Sequence, residues 1–248
     1  MKKNHFEDPA WYNINVIIMA GGKGSRLNLL TANTPKSLIE ISEKPVIHHL
    51  IEHLVSFGIS SIYISVGHLS QQIIENLGSK DLGADIKYIH ETFPMGSIGA
   101  LTLKTDWEHD IFLVLNGDIL TNFNLTKFIS NFLSKDADAA VLTQRNEMTI
   151  PWGVLYINTD GRIIKLVEKP NYNFQISAGI YLFKKNIVKL LSNSDRTEGW
   201  ELIQSAINQN YHVVGIPVDD DAYWIDIGTS ETLQKALDMA ETNFQISK

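Results

Sequence analysis

Two short runs of apolar residues stand without polar alternation, Ile14–Met19 and Ile111–Leu115. Runs of this length suit strands buried on both faces, as in a parallel sheet. Ile62–Val66, Ile86–Ile89 and Ala139–Thr143 read as further strands. Between them the pattern changes period. Val46, Ile47, Leu50, Ile51, Leu54 and Val55 form a stripe at helical spacing, with Pro45 in its first turn and Gly58 at its end. Ser70 is predicted to cap a helix that carries Ile73, Ile74 and Leu77 and closes at Gly78. Gly96–Lys104 reads as a glycine loop running into a helix, and Asn124 as the cap of a helix through Phe132. Strands alternating with helices predict a doubly wound, Rossmann-like α/β sheet.

The second half is richer in strands. Val154–Ile157, the turn at Asp160-Gly161 and Ile163–Val167 predict a hairpin. Ala178–Phe183 and His212–Val218 follow as strands, with helices at Trp200–Ile207 and Thr232–Ala240. Few crossover helices separate these strands, so they are expected to extend the first sheet as a mixed sheet. No repeat, low-complexity tract or linker interrupts the pattern. It predicts an irregular leader over 1–13 and a single domain over 14–248.

The chain has 248 residues, 44% hydrophobic, enough for a substantial core. A net charge of −7 argues against a nucleic-acid-binding face, though not against a small basic pocket. With no cysteine, disulfides and thiolate metal sites are excluded. No apolar run is long enough to span a bilayer, and the two lysines near the start precede no apolar core. A cytoplasmic protein without membrane or nucleic-acid partners is expected.

The first strand runs into Gly21, Gly22 and Gly24, then Ser25 and Arg26, with Lys36 further on. Glycines at a strand's carboxyl end let the backbone approach a ligand and offer N–H groups to an anion. Joined to a hydroxyl, a guanidinium and an ammonium, they describe a polyphosphate cradle. Two familiar phosphate motifs do not match. The P-loop requires Gly-Lys-Ser/Thr at its end, and the dinucleotide fingerprint a third glycine opening a helix.

The stretch resembles the sugar-1-phosphate nucleotidylyltransferases, and within them the mannose-1-phosphate, heptose-1-phosphate and glucosamine-1-phosphate guanylyltransferase-like enzymes. Their opening signature, Gly-Gly-x-Gly-Thr-Arg-Leu, Pro-Lys-Pro-Leu and Lys-Pro, reads here as Gly21–Leu27, Pro35-Lys36-Ser37-Leu38 and Lys44-Pro45. Ser25 replaces the usual Thr, and Ser37 the second Pro. Gly153, Glu168-Lys169-Pro170 and Ser177-Ala178-Gly179 resemble a second signature, with Ser177 in place of Asn. Trp224-Ile225-Asp226-Ile227-Gly228-Thr229 resembles a late one. The likeness covers roughly residues 14–240 in four ordered motifs.

The resemblance implies a fold of the nucleotide-diphospho-sugar transferase type, with a nucleotide-binding half over 14–145 and a sugar-phosphate-binding half over 146–248. It also implies the reaction of a nucleoside triphosphate with a sugar 1-phosphate. Arg26, Lys36, Asp118 and Lys169 would be catalytic, and Asp118 and Asp226 would hold Mg²⁺. The nucleotide would meet Gly21, Gly22, Gly24, Ser25, Arg26, Lys36, Glu91, Gly96, Ser97 and Asn116. The sugar phosphate would meet Gly153, Glu168, Lys169, Ser177 and Gly179. At Glu91, uridylyl- and thymidylyl-transferring relatives commonly carry Gln. A carboxylate only accepts hydrogen bonds, which fits the two adjacent donors of guanine and favours GTP. The sugar stays open, and a homo-oligomer is compatible with the chain.

Two other functions compete with this reading. His49-x-x-Glu52-His53 fits an inverted zinc-peptidase pattern, with both histidines on one helical face. The apolar stripe of that helix predicts that they point to solvent instead. A non-catalytic nucleotide sensor of the same fold is the other alternative.

Overall fold

A computed structural model of the chain describes residues 13–24, 27, 33–192 and 196–244. The leader before residue 13, and Ser25 and Arg26 of the cradle, lie outside the described residues. The first strand, β1 (Ile14–Met19), is buried along its whole length. After it come β2 (Glu40–Ile41), β3 (Lys44–Pro45), α1 (Val46–Ser56), β4 (Ser61–Val66), α2 (Ser70–Leu77), β5 (Lys80–Asp81) and β6 (Ala84–His90). Next are β7 (Ile111–Asn116), β8 (Ile119–Thr121), α3 (Leu125–Ser134), β9 (Ala139–Thr149), β10 (Val154–Ile157), β11 (Ile163–Val167) and β12 (Asn171–Lys184). The chain continues with α4 (Lys185–Val188), α5 (Gly199–Asn208), β13 (Val213–Pro217), β14 (Trp224–Asp226) and α6 (Ser230–Phe244).

Eight strands form one sheet in the order β13-β9-β12-β7-β1-β4-β6-β5. β1 pairs in parallel with β4 and β7, and β4 with β6, which gives the doubly wound core. β12 enters antiparallel to both β7 and β9, so the sheet is mixed as expected. One face packs on α1, α2 and α3 through residues such as Ile47, Leu54, Ile73 and Phe128. Leu202 and Ala206 of α5 pack on the other face. A third cluster beneath α6 joins Leu233 and Ala236 to Leu120 and Ile227. Each fully buried aliphatic side chain contributes about 1.5–3 kcal/mol relative to exposure. No helix among the described residues is long and apolar enough to cross a membrane.

Several expectations need correction. The 154–167 hairpin does not extend the main sheet; β10 and β11 form a separate two-stranded ribbon. β9 and β12 are far longer than their apolar cores, because their polar outer halves pair with each other from Asn171↔Thr149 to Ser177↔Thr143. β9 therefore runs unbroken through residue 145, and the two halves of the chain share a strand. Ser70 is the first residue of α2 rather than its cap. Leu69 holds the cap position in left-handed backbone, φ 55°, with no side-chain bond. In 96–104 only Gly99–Leu103 is helical, as a short 3-10 turn. Asn124 does cap α3, accepting from the Lys127 N–H at 2.9 Å.

Candidate active site

β1 and β7 end side by side, and the ends are locked by two glycines. The Gly117 N–H donates to the Met19 carbonyl at 2.9 Å, and a Cβ at Gly117 would lie 2.9 Å from that oxygen. The buried Gly21 carbonyl accepts from the His68 N–H at 3.3 Å, which ties the glycine loop to the end of β4. Beyond these ends opens a cleft of about 540 Å³. Gly21, Gly22, Gly24, Lys36, Glu91, Gly96, Ser97, Asn116 and Asp118 all line it, so the structure brings together the described residues of the expected nucleotide site. A crevice outside the carboxyl ends of the strands is the usual ligand position in an open α/β sheet.

Lys36 sits in the short 3-10 turn Lys36–Leu38, closed by the Leu38 N–H on the Pro35 carbonyl at 2.9 Å. Its ammonium pairs with the Asp118 carboxylate. Asp226 reaches the same region by a different route. β14 pairs with β8 so that Asp226 lies opposite Ile119, and the Ile227 N–H donates to the Asp118 carbonyl at 2.9 Å. The two carboxylates thus come from adjoining positions of paired segments. Asp226 itself stands outside the cleft lining, which Gly228 joins.

The carboxylate of Glu91 is held from three sides. Its Oε1 accepts from the Ser65 hydroxyl at 2.6 Å, and its Oε2 from the Met95 N–H at 3.1 Å. It also lies over Gly21, where a Cβ would come within 2.2 Å of Oε1. The loop that follows is pinned by the segment before α5. The Thr197 N–H donates to the Met95 carbonyl at 2.9 Å, and the Ile98 N–H to the Thr197 carbonyl at 3.2 Å. Gly96, at φ +80°, permits this approach, since a Cβ there would meet the Thr197 oxygen at 2.4 Å. Ser97 donates its N–H to Glu198 at 3.0 Å, and its hydroxyl accepts from the Gly199 N–H at 2.9 Å.

Sequence reasoning missed Arg196 and Glu198, which pair with each other and line the cleft. Glu198 also caps α5 in a reciprocal box with Glu201. Glu198 stands where a capping box ordinarily has Ser or Thr, so the spacing to Glu201 gave no standard signal; nothing in the pattern marked Arg196.

The expected sugar-phosphate residues sit apart from the cleft, on the arm formed by the outer half of β12 and the β10–β11 ribbon. Gly153 and Glu168 are neighbours, with a Cβ at Gly153 falling 2.9 Å from Glu168 Oε2. Lys169 adopts left-handed backbone, φ 45°. The Ser177 hydroxyl donates to the Tyr181 hydroxyl at 3.2 Å and accepts from the Gly179 N–H at 3.2 Å. Arm and cleft meet at Gly179, φ +68°, where a Cβ would come 2.5 Å from Asn116 Nδ2.

The histidine pattern on α1 does not build a metal site. His49 and His53 are half-buried rather than solvent-facing. Their Nε2 atoms bond to separate backbone carbonyls, Ile41 at 2.9 Å and Phe123 at 2.8 Å. Burial lowers both imidazole pKa values. Glu52 pairs with Lys44. Among the described residues no group of three His, Asp or Glu side chains is placed to hold a metal.

A family model described as nucleotidyl transferase matches residues 15–243. The chain belongs to the nucleotidyl transferase family. A mannose-1-phosphate guanylyltransferase catalytic subunit beta from Dictyostelium discoideum is 30% identical over 223 residues, 87% of this chain and 61% of the relative. The chain thus spans about three fifths of that relative's length. HddC from Yersinia pseudotuberculosis, solved in complex with GMP-PN, superposes with a TM-score of 0.69 at 27% identity, covering 91% of this chain and 98% of HddC. A Bacillus anthracis protein assigned as a glucose-1-phosphate thymidylyltransferase, solved with sucrose, gives 0.72 at 27% identity, covering 92% and 95%. The fold of this nucleotidyl transferase is that of the nucleotide-diphospho-sugar transferases, as the sequence resemblance implied.

Proposed function

We propose that this nucleotidyl transferase joins a nucleoside triphosphate to a sugar 1-phosphate, releasing pyrophosphate, with GTP as the preferred donor. The carrying observation is the cleft at the carboxyl ends of β1 and β7, where the glycine loop, Lys36, Asp118 and the anchored Glu91 converge. In the reaction a phosphate oxygen of the sugar 1-phosphate attacks the α-phosphorus. The bond from that phosphorus to the bridging oxygen of the β-phosphate breaks, and the electron pair leaves with pyrophosphate. No side-chain nucleophile is required. Positioning and charge neutralisation supply the acceleration.

Lys36 stands at the cleft wall, where its charge would stabilise phosphate oxygens. Arg26 would hold the leaving pyrophosphate, and Lys169 on the arm would orient the incoming sugar phosphate. Asp118 and Asp226 offer an oxygen-only donor set, which suits a hard cation such as Mg²⁺. Bound there, the ion would neutralise charge on triphosphate oxygens. The Lys36 ammonium pairs with the Asp118 carboxylate. Glu91 supports guanine, because an anchored carboxylate accepts from the ring N–H and the exocyclic amine together. The HddC complex with GMP-PN supports the same base, and the thymidylyltransferase-like neighbour supports a pyrimidine.

The test is a grid of triphosphates against mannose, manno-heptose, glucosamine and glucose 1-phosphates, read by pyrophosphate release. GTP is expected to lead with one or a few sugars, and chelation of divalent ions to abolish release. Leadership by UTP or dTTP overturns the base. Tight nucleotide binding with no release from any pair overturns catalysis in favour of a sensor.

A further inference from the structure

We infer that Ser65 is a positioning residue that sets base selection by fixing the Glu91 carboxylate; the inference rests on Glu91 being the group that meets the base. Ser65 interrupts a strand that is otherwise apolar toward the interior, and its side chain is wholly buried, at 0% exposure. A buried hydroxyl without a partner costs about 1–3 kcal/mol, so its presence in β4 calls for a partner. That partner is Glu91 Oε1, 2.6 Å away.

A glutamate side chain has three free torsions, and one left loose at a cleft wall would present its oxygens in many directions. Here two donors fix it. The Ser65 hydroxyl takes one oxygen, and the Met95 N–H takes the other at 3.1 Å. The backbone of Glu91 is fixed as well, its N–H donating to the Val66 carbonyl at 2.8 Å. A carboxylate has roughly four acceptor sites, so each oxygen keeps one for a ligand after these bonds. Two adjacent acceptors held rigid at a cleft wall match two adjacent donors on a base edge. A rigid acceptor pair also penalises a base lacking one donor, because a desolvated acceptor is then left unpaired. Ser65 never touches the base; it decides how sharply Glu91 discriminates.

The experiment compares dissociation constants of GTP, ITP and UTP without sugar phosphate, for wild type, Ser65→Ala, Ser65→Thr, Glu91→Gln and the Ser65→Ala/Glu91→Gln double variant. ITP lacks only the exocyclic amine of guanine. Ser65→Ala is expected to reduce the GTP-to-ITP affinity ratio by about tenfold, the scale of losing a bond to a charged group. Ser65→Thr, which keeps the hydroxyl, restores the ratio, and Ser65→Ala adds nothing once Glu91→Gln is present. A folded Ser65→Ala with the wild-type ratio overturns the inference, as does full additivity in the double variant. Should Ser65→Ala fail to fold, Ser65→Cys, a weak donor of similar size, carries the same test: a reduced ratio supports positioning and an unchanged one rejects it. A wild type that binds UTP better than GTP removes the guanine reading alone. Ser65 is then judged by the same cycle on the preferred triphosphate, where additivity rejects it.

Discussion

Gly21 shows how little room the site leaves at single positions. Its glycine suggested a backbone open to phosphate, and Gly22 fits that account, since a Cβ there would meet nothing within 4 Å. Gly21 is a glycine for a second reason, the carboxylate of Glu91 lying over it. Gly21→Ala is therefore expected to leave the fold intact, because the clash is with the far end of a flexible side chain. It would displace Glu91 and weaken binding of the preferred triphosphate by about tenfold, on the scale of a lost charged hydrogen bond. Gly22→Ala should keep wild-type base preference. Calorimetric titration with thermal melts distinguishes the two, and wild-type affinity and base preference in Gly21→Ala would contradict the assignment. Residue types at the site were legible because glycines, cations and carboxylates at strand ends have few other uses. Who holds whom was not. Ser65 reaches Glu91 because β4 and β6 end side by side, Met95 reaches it through the turn of the loop that follows, and Lys36 reaches Asp118 from the 3-10 turn at Lys36–Leu38.

At the scale of elements, helix α1 shows where periodicity misleads. Its apolar stripe implied that His49 and His53 face water. Packing of β2, β8 and Phe123 against the helix gives the other side a second, smaller interior. There burial lowers the His53 pKa below its ordinary value of 6.5, against the weaker opposing pull of its bond to Phe123; His49 shifts the same way. The folded chain thus binds these protons less readily than the unfolded chain. Stability is fully present above about pH 6.5 and falls as pH drops below it toward the lowered folded values. The midpoint of thermal unfolding should decline as the pH falls below about 6.5. His53→Gln, which still offers an N–H to the Phe123 carbonyl, should flatten that decline. A wild-type-like slope in His53→Gln would refute the contribution of this residue. Asp81, whose carboxyl burial pushes above 3.8, acts in the opposite sense at lower pH. The lengths of β9 and β12 were illegible for a related reason: their polar outer halves are strands only because each pairs with the other.

Across the whole molecule, short apolar runs alternate with amphipathic helices, which is why the doubly wound core could be read from the chain. The departure of the β10–β11 ribbon from the main sheet could not, because its two strands pair only with each other. The cleft draws on the ends of β1 and β7, the loop after β6 and the segment before α5, while Gly153, Glu168, Lys169 and Ser177 stand on the arm outside it. The regions touch where Asn116 packs on Gly179. This layout predicts separable effects. Glu168→Gln and Lys169→Ala should raise KM for the sugar 1-phosphate by about ten- to a hundredfold, the scale of a bond to a charged group. Both should leave the dissociation constant of the triphosphate within about twofold of wild type, since distant sites without shared partners act independently. Lys36→Ala should do the reverse, weakening triphosphate binding first. Steady-state kinetics across sugar phosphate concentrations, with calorimetric binding of the triphosphate alone, measures both. Loss of triphosphate affinity in Lys169→Ala would mean that the arm folds over the nucleotide, and the two-region division would fail.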